Sequence, residues 1–347
     1  MSESAELVHE TSLGRLYRGD ALPWLRSLDA NSVDLVVADP PYGGNAVHWD
    51  KFKSLDDYAI WCEAWIDESH RVLKDGGSCF ICGWSENLAY LKVLGDKYFA
   101  RCRWLVWFYR NKQAAWRTDW GRAHESILHF RKGAKFTFNQ DAVRTPYNRH
   151  TMNYPDHTQA ATSVFGAQNG GKSGHVWQPH PLGAKPKDVL EISILNNGMK
   201  ERTPHPTQKP EELIRRLVMA CSDRGDLVID PFVGSGTLAV VCEKLERRWE
   251  AVDLDADGEY LPSAIERLHA SVPDEEANIR LYRQVAFEST ANREFVRTGE
   301  KPRDEIADIG ADGLPARIAL AGLEDADPES PSDNRRTSGG AYSEAAY

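Results

Sequence analysis

Val33-Asp34-Leu35-Val36-Val37-Ala38-Asp39-Pro40-Pro41-Tyr42-Gly43-Gly44 starts as an apolar run and ends in residues that continue neither strand nor helix. The run reads as a buried parallel strand, and the prolines and glycines turn it into a loop. In an open α/β sheet, the loop at the carboxyl end of such a strand is where ligands bind. Downstream, Tyr58, Trp61, Trp65 and Val72 recur at helical spacing over Leu55 to Leu73, and Asp75-Gly76-Gly77 is expected to stop that helix before a strand over Ser78 to Cys82. Strand, helix and strand make a βαβ unit, which requires a parallel sheet. Trp104 to Phe108 and Ile127 to Phe130 read as later strands that form an antiparallel pair.

Regular α/β patterning returns after residue 203. It predicts a helix near Glu211 to Cys221, a strand at Leu227 to Asp230, a helix near Thr237 to Leu245, a strand at Trp249 to Asp253 and a helix near Tyr260 to His269. Residues 139–203, rich in Asn, Gln, Gly, His and Pro around Asn169-Gly170-Gly171-Lys172-Ser173-Gly174, break the rhythm and read as a loop-rich insert rather than a second core. The chain therefore divides into 1–138, the insert 139–203, 204–283 and an acidic extension 284–347. Beyond about residue 300 that extension is charged, poor in large apolar residues and expected to be a disordered or loosely attached tail.

The net charge of -10, from 42 Lys and Arg against 52 Asp and Glu, conceals a split. Residues 101–215 carry 18 basic and 9 acidic side chains and seven of the eleven His, so this stretch is +9 while the rest is -19. An anionic partner would dock there. The 41% hydrophobic and 10% aromatic content suits an ordinary core. No run reaches the roughly 18 to 20 apolar residues of a membrane span, and Met1-Ser2-Glu3-Ser4-Ala5-Glu6 lacks the features of a secretory signal, so no membrane partner and a cytoplasmic location are expected. Of six Cys, only Cys79-Phe80-Ile81-Cys82 has metal-like spacing. A second Cys or His pair is missing, so buried strand thiols and no metal are the reading.

Two constellations carry chemistry. Asp230-Pro231-Phe232-Val233-Gly234-Ser235-Gly236-Thr237 lies between a predicted strand and helix, where glycines admit close backbone approach and the helix N-terminus offers free N–H groups. Twenty-three residues after Asp230, Asp253 ends the next strand, placed to accept both hydroxyls of a ribose. The glycines alone fit an ordinary strand-to-helix turn; with both carboxylates in register a nucleoside-type cofactor fits better. Asp39-Pro40-Pro41-Tyr42 supplies a carboxylate, a backbone carbonyl held out of helix by the next proline, and an aromatic face. Those parts suit a planar base bearing an exocyclic amine, although the tetrapeptide alone also fits a proline-rich turn.

Together the two constellations resemble the amino-directed DNA methyltransferases that use S-adenosylmethionine, in the order of their beta group, where the Asp-Pro-Pro-Tyr half comes first. The resemblance runs from about Tyr17-Arg18-Gly19-Asp20 to Leu268. It includes His48-Trp49-Asp50-Lys51-Phe52, Arg71-Val72-Leu73-Lys74-Asp75-Gly76-Gly77, His124-Glu125-Ser126-Ile127-Leu128 and His205-Pro206-Thr207-Gln208-Lys209-Pro210. It implies a circularly permuted Rossmann-like fold, with a seven-stranded, mostly parallel sheet, helices on both faces and a target-recognition insert. Asp39, Pro40, Pro41 and Tyr42 would be catalytic. Asp39, Asp230, Phe232, Gly234, Ser235, Gly236 and Thr237 would bind the cofactor. Asp253 would hold the ribose, Asp20 the adenine, and Lys209-Pro210 the methionine carboxylate, unless Pro210 simply starts a helix. Asp253 stands where the family more often has Glu.

The implied substrate is a base flipped from double-stranded DNA. Asp39 and the Trp-Asp segment favour adenine N6 over cytosine N4, and a catalytically silent DNA-binding protein is the rival reading. Arg110, Lys112, Arg117, Arg122, Arg144, Arg149 and Lys172 are the DNA-binding candidates in the basic stretch, although any one of them also fits a solvated face. The resemblance admits a homodimer and a cognate restriction endonuclease as further partners.

Overall fold

The computed structural model describes residues 5–43, 50–112, 120–153, 157–158, 176–177, 179–256 and 258–271. The first half comprises strands β1 (Glu6–Glu10) and β2 (Gly14–Arg18), helix α1 (Ala21–Ser27), β3 (Val33–Ala38), α2 (Leu55–Val72), β4 (Leu73–Gly83), α3 (Ser85–Gly95), β5 (Arg101–Phe108) and β6 (His124–Arg131). Next come a 3-10 turn (Gln140–Val143), the short helix α4 (Arg149–Asn153), β7 (His157–Thr158), β8 (Val176–Trp177) and β9 (Val189–Glu191). The second half comprises α5 (Glu211–Cys221), β10 (Leu227–Asp230), α6 (Thr237–Leu245), β11 (Arg248–Asp253) and α7 (Tyr260–Ala270). None of the described helices is long and apolar enough to cross a membrane.

Among the described residues the main sheet has nine strands in the order β1-β2-β11-β10-β3-β4-β6-β5-β9. The run β2-β11-β10-β3-β4 is parallel, β4-β6-β5 is antiparallel, and β1 and β9 each add one strand beyond the expected seven. Alternation along the strands splits the core. Leu35, Val37, Phe80 and Cys82 pack with α5, α6 and α7, while Val36, Ala38, Cys79 and Ile81 pack with α1, α2 and α3. Helices thus cover both faces, and Cys79 and Cys82 point to opposite faces, which prevents them from sharing one ion.

The boundary after α2 differs from the sequence expectation. The helix ends at Val72 and β4 begins at once. Pairing with β3 jumps from Val33↔Leu73 to Leu35↔Ser78, so residues 74–77 form a bulge. Gly76 takes φ +85°, and a Cβ on Gly77 would lie 3.0 Å from the carbonyl oxygens of Asp34 and Lys74. These glycines serve the bulge rather than the helix end. Lys74 reaches both carboxylate oxygens of Asp34 at 2.8 Å, and Asp34 also accepts the Leu227 N–H at 2.9 Å, which fastens β3, β4 and β10 at one end.

Both ends of the 139–203 stretch are tied to the core. The Asn139 amide donates to the carbonyls of Met219 and Ser222 at the end of α5, and the Trp107 indole donates to the Ile192 carbonyl at 2.8 Å. The Asn169–Gly174 segment and the extension 284–347 lie outside the described residues.

His129 on β6 is buried against the Ser78 hydroxyl at 3.0 Å, and burial, with Arg131 and Arg103, lowers its pKa to about 3. Between the ordinary 6.5 and about 3 the unfolded chain takes up a proton that the fold refuses. Stability from this group is therefore present above pH 6.5 and is lost as the pH falls through that window. Urea midpoints at pH 7, 5.5 and 4 should fall steadily, and His129→Gln should flatten that dependence.

Candidate active site

The carboxyl ends of β2, β11, β10, β3 and β4 meet at one edge of the parallel layer, as the rule for open sheets requires. A cleft of about 610 Å³ lies there, lined by Asp20, the tetrapeptide Asp39 to Tyr42, Lys209, Phe232 and Asp253 among others. The two constellations, some 190 residues apart in the chain, face the same cavity because β3 and β10 are hydrogen-bonded neighbours.

On the Asp39 side, the Tyr42 hydroxyl donates to Asp39 Oδ1 at 2.7 Å and lies 3.1 Å from Glu125 Oε2. The Lys209 ammonium, 6% exposed, is 2.6 Å from Asp39 Oδ2, 3.6 Å from Glu125 Oε2 and 5.3 Å from the centre of the Tyr42 ring. Burial alone would lower the Lys209 pKa, but Asp39 and Glu125 outweigh it and hold it above its ordinary value. Burial, reinforced by the same two carboxylates, pushes Tyr42 well above the tyrosine range. The loop backbone is held by Asn87, which donates to the Tyr42 carbonyl at 2.6 Å, and by the buried Asp50, which accepts the Gly43 N–H at 2.6 Å. Asp50 belongs to the Trp-Asp segment, of which His48 and Trp49 lie outside the described residues. At the mouth, Trp84 meets Tyr42 edge to face at 5.6 Å, and Arg122 lies over Trp84 at 5.0 Å while it pairs with Glu86 at 2.7 Å.

On the Asp253 side, Phe232 rests against Trp61 and Trp65 of α2, at 5.6 and 5.3 Å between ring centres. Asp253 accepts the Gly234 N–H at 2.8 Å on one oxygen and the Asp255 N–H at 2.9 Å on the other. Burial raises its pKa, and the two N–H bonds oppose that. Each oxygen keeps a lone pair for a further donor. Asp20 caps α1 by accepting the Leu22 N–H and also lines the cleft.

The remaining expected residues lie behind the lining. Asp230 is buried and accepts the Phe232 N–H at 2.9 Å, with its pKa raised by burial. Gly234 and Gly236, at φ +48° and +77°, let the turn double back; a Cβ on Gly236 would lie 2.7 Å from that of Ala264 on α7. Ser235 and Thr237 are buried. Thr237 donates to the Lys209 carbonyl at 3.2 Å, and Arg267 joins both hydroxyls to Glu211. Pro210 stands at the N-cap of α5.

Of the basic candidates, Lys112 lines the cleft, and Arg110, paired with Glu191, and Arg149 are exposed. Arg144 is buried, its guanidinium bonded to Asp141 at 2.6 Å and to the Gly183 carbonyl at 2.8 Å, so it supports the fold rather than a surface. Arg117 and Lys172 lie outside the described residues. Sequence reading gave Glu125 no role beyond its place in a family-like segment, and did not single out Trp84 or Asp255. Glu125 stands at the head of an apolar strand 83 residues from Tyr42, and only the pairing of β6 with β4 brings it to the cleft. Asp255 accepts the N–H groups of Glu259, Tyr260 and Leu261 and so fixes the start of α7 beside Asp253.

Comparison with known proteins agrees with this arrangement. Type II methyltransferase M.HpaI of Haemophilus parainfluenzae is 35% identical over 263 residues, covering 73% of this chain and 74% of that protein. DNA adenine methyltransferase YhdJ of Escherichia coli (strain K12) is 32% identical over 260 residues, covering 73% and 82%. Among solved structures, PvuII DNA methyltransferase (cytosine-N4-specific) matches with a TM-score of 0.56 at 18% identity over 82% of this chain and 96% of that one, a likeness of fold. The N6/N4 DNA methylase family model matches residues 33–266, which include both Asp39 to Tyr42 and Asp230 to Asp253. With both halves of the site joined across β3 and β10, the chain belongs to the amino-directed N6/N4 DNA methyltransferases.

Proposed function

We propose that the protein transfers a methyl group from S-adenosylmethionine to the exocyclic N6 of an adenine flipped out of double-stranded DNA. The observation that carries this reading is the single cleft, with Asp39 and Tyr42 at one end and Asp253 and Phe232 at the other. The second end fits a nucleoside, because a carboxylate with open lone pairs stands beside an aromatic ring backed by two tryptophans. S-adenosylmethionine, held by Asp253, Phe232 and the adjoining turn, supplies a sulfonium methyl group. Asp39 and the Pro40 carbonyl accept the two N–H bonds of the target amine, which draws its lone pair out of the ring. The nitrogen would take the methyl group as its carbon–sulfur bond breaks, the neutral thioether S-adenosylhomocysteine would leave, and the amine's surplus proton would pass to Asp39. Tyr42 stacks on the base, and this offsets part of the few kcal/mol that flipping costs.

Adenine is favoured by Asp39 at the head of the tetrapeptide. Nucleoside analysis of DNA from cells expressing the protein should show N6-methyladenine; N4-methylcytosine in its place would overturn the choice of base, and neither would overturn the function. The exposed or cleft-lining cations Lys112, Arg110 and Arg149 would contact the phosphates. Replacing any one by Glu should weaken binding on all sequences and lower the salt slope by about 1. Filter binding from 50 to 200 mM salt would measure this, and Arg144→Gln should instead lower stability.

A further inference from the structure

Glu125 is a second carboxylate beside the reacting centre, supplied by a strand that carries neither constellation. Its Oε2 lies 3.1 Å from the Tyr42 hydroxyl and 3.6 Å from the Lys209 ammonium. Two carboxylates therefore share one buried ammonium, and the cluster Asp39, Glu125 and Lys209 carries a net charge of -1. Without Glu125, Lys209 and Asp39 would form a closed neutral pair at 2.6 Å, whose field toward an amine gaining positive charge is far weaker. The hydroxyl proton of Tyr42 has two acceptors within reach, Asp39 Oδ1 at 2.7 Å and Glu125. It can turn toward Glu125 when Asp39 takes up a proton from the substrate, so Asp39 keeps an oxygen free to receive it.

We propose that Glu125 is a positioning residue for methyl transfer: it draws off part of the Lys209 charge and offers Tyr42 a second acceptor, which strengthens the negative field at the target amine and leaves an Asp39 oxygen open toward it. This rests on the function proposed above. Apart from Lys209, Glu125 is bonded to none of the residues proposed for the cofactor or the DNA phosphates, so its loss should act chiefly on turnover.

The test compares wild type, Glu125→Gln, Glu125→Asp, Tyr42→Phe and the Glu125→Gln/Tyr42→Phe double variant, each by single-turnover methyl transfer, equilibrium binding of S-adenosylmethionine and of duplex DNA, and thermal unfolding. Glu125→Gln keeps the shape, removes the charge, and should slow transfer by about 10²-fold with both affinities within about twofold of wild type. Glu125→Asp should recover most of the rate. The double variant should be no slower than the slower single variant, because both changes break one chain of contacts. An active wild type with Glu125→Gln within threefold of its rate, or losses that multiply in the double variant, would overturn this inference alone. A wild type that transfers no methyl to any DNA would overturn the proposed function as well.

Discussion

Asp39→Ala should abolish the incorporation of labelled methyl groups into DNA, a fall of about 10³-fold or more, while affinity for S-adenosylmethionine changes little. The carboxylate touches nothing on the Asp253 side, and its two oxygens face Tyr42 and Lys209. The same substitution should leave a mark on stability that the chemistry does not require. Lys209 is 6% exposed and, among the ion pairs of the described residues, would keep Glu125, at 3.6 Å, as its counter-charge. Removing one partner of a buried pair costs about 3 to 5 kcal/mol, and the remaining carboxylate puts this case at the low end. Asp39→Asn, which preserves shape, should show the same loss of transfer. Scintillation counting of DNA with chemical denaturation of each variant separates the two effects, and transfer at the wild-type rate in either variant would remove Asp39 from the chemistry.

Asp253→Ala should strike the opposite end of the cleft. Two charge-assisted hydrogen bonds to a ribose are worth about 1.5 to 3 kcal/mol each, so cofactor affinity should fall by at least about 10²-fold. The substitution also strips acceptors from the Gly234 and Asp255 N–H groups, which loosens the glycine turn. Asp253→Glu restores the carboxylate on a longer arm and should recover to within about tenfold. Calorimetric titration with S-adenosylmethionine in the absence of DNA measures this directly. Unchanged affinity in Asp253→Ala would move the cofactor elsewhere in the cleft.

How far the sequence spoke for the fold depended on whether a segment carried its own signal. α5, β10 and α6 have the expected bounds, since each combines an apolar pattern with Pro or Gly at its margins. The antiparallel β5 and β6 were legible in their aromatic and branched residues. The edge strand β1 was not, because Glu6, Leu7 and Glu10 are exposed and show no buried face. At seven and three residues, α1 and β9 are too short for a period to register. Gly76 and Gly77 read as a helix stop, because a bulge between neighbouring strands depends on a partner that local sequence does not name. The same reason hid the contact of Glu125 with Tyr42: a carboxylate 83 positions away required the sheet order.

The chain order has a consequence for synthesis. β3, which presents Asp39, takes β4 as one neighbour soon after it is made, but its other neighbour belongs to a segment translated far later, and the Asp34 to Leu227 bond spans 193 positions. Contacts of such separation close late. Until the later strands are made, a growing chain has an open strand edge and lacks Phe232 and Asp253, so it carries the proposed base-binding tetrapeptide without the residues proposed to hold the cofactor. A ribosome that stalls before residue 227 would release a polypeptide with an unpaired β3 edge, prone to aggregate.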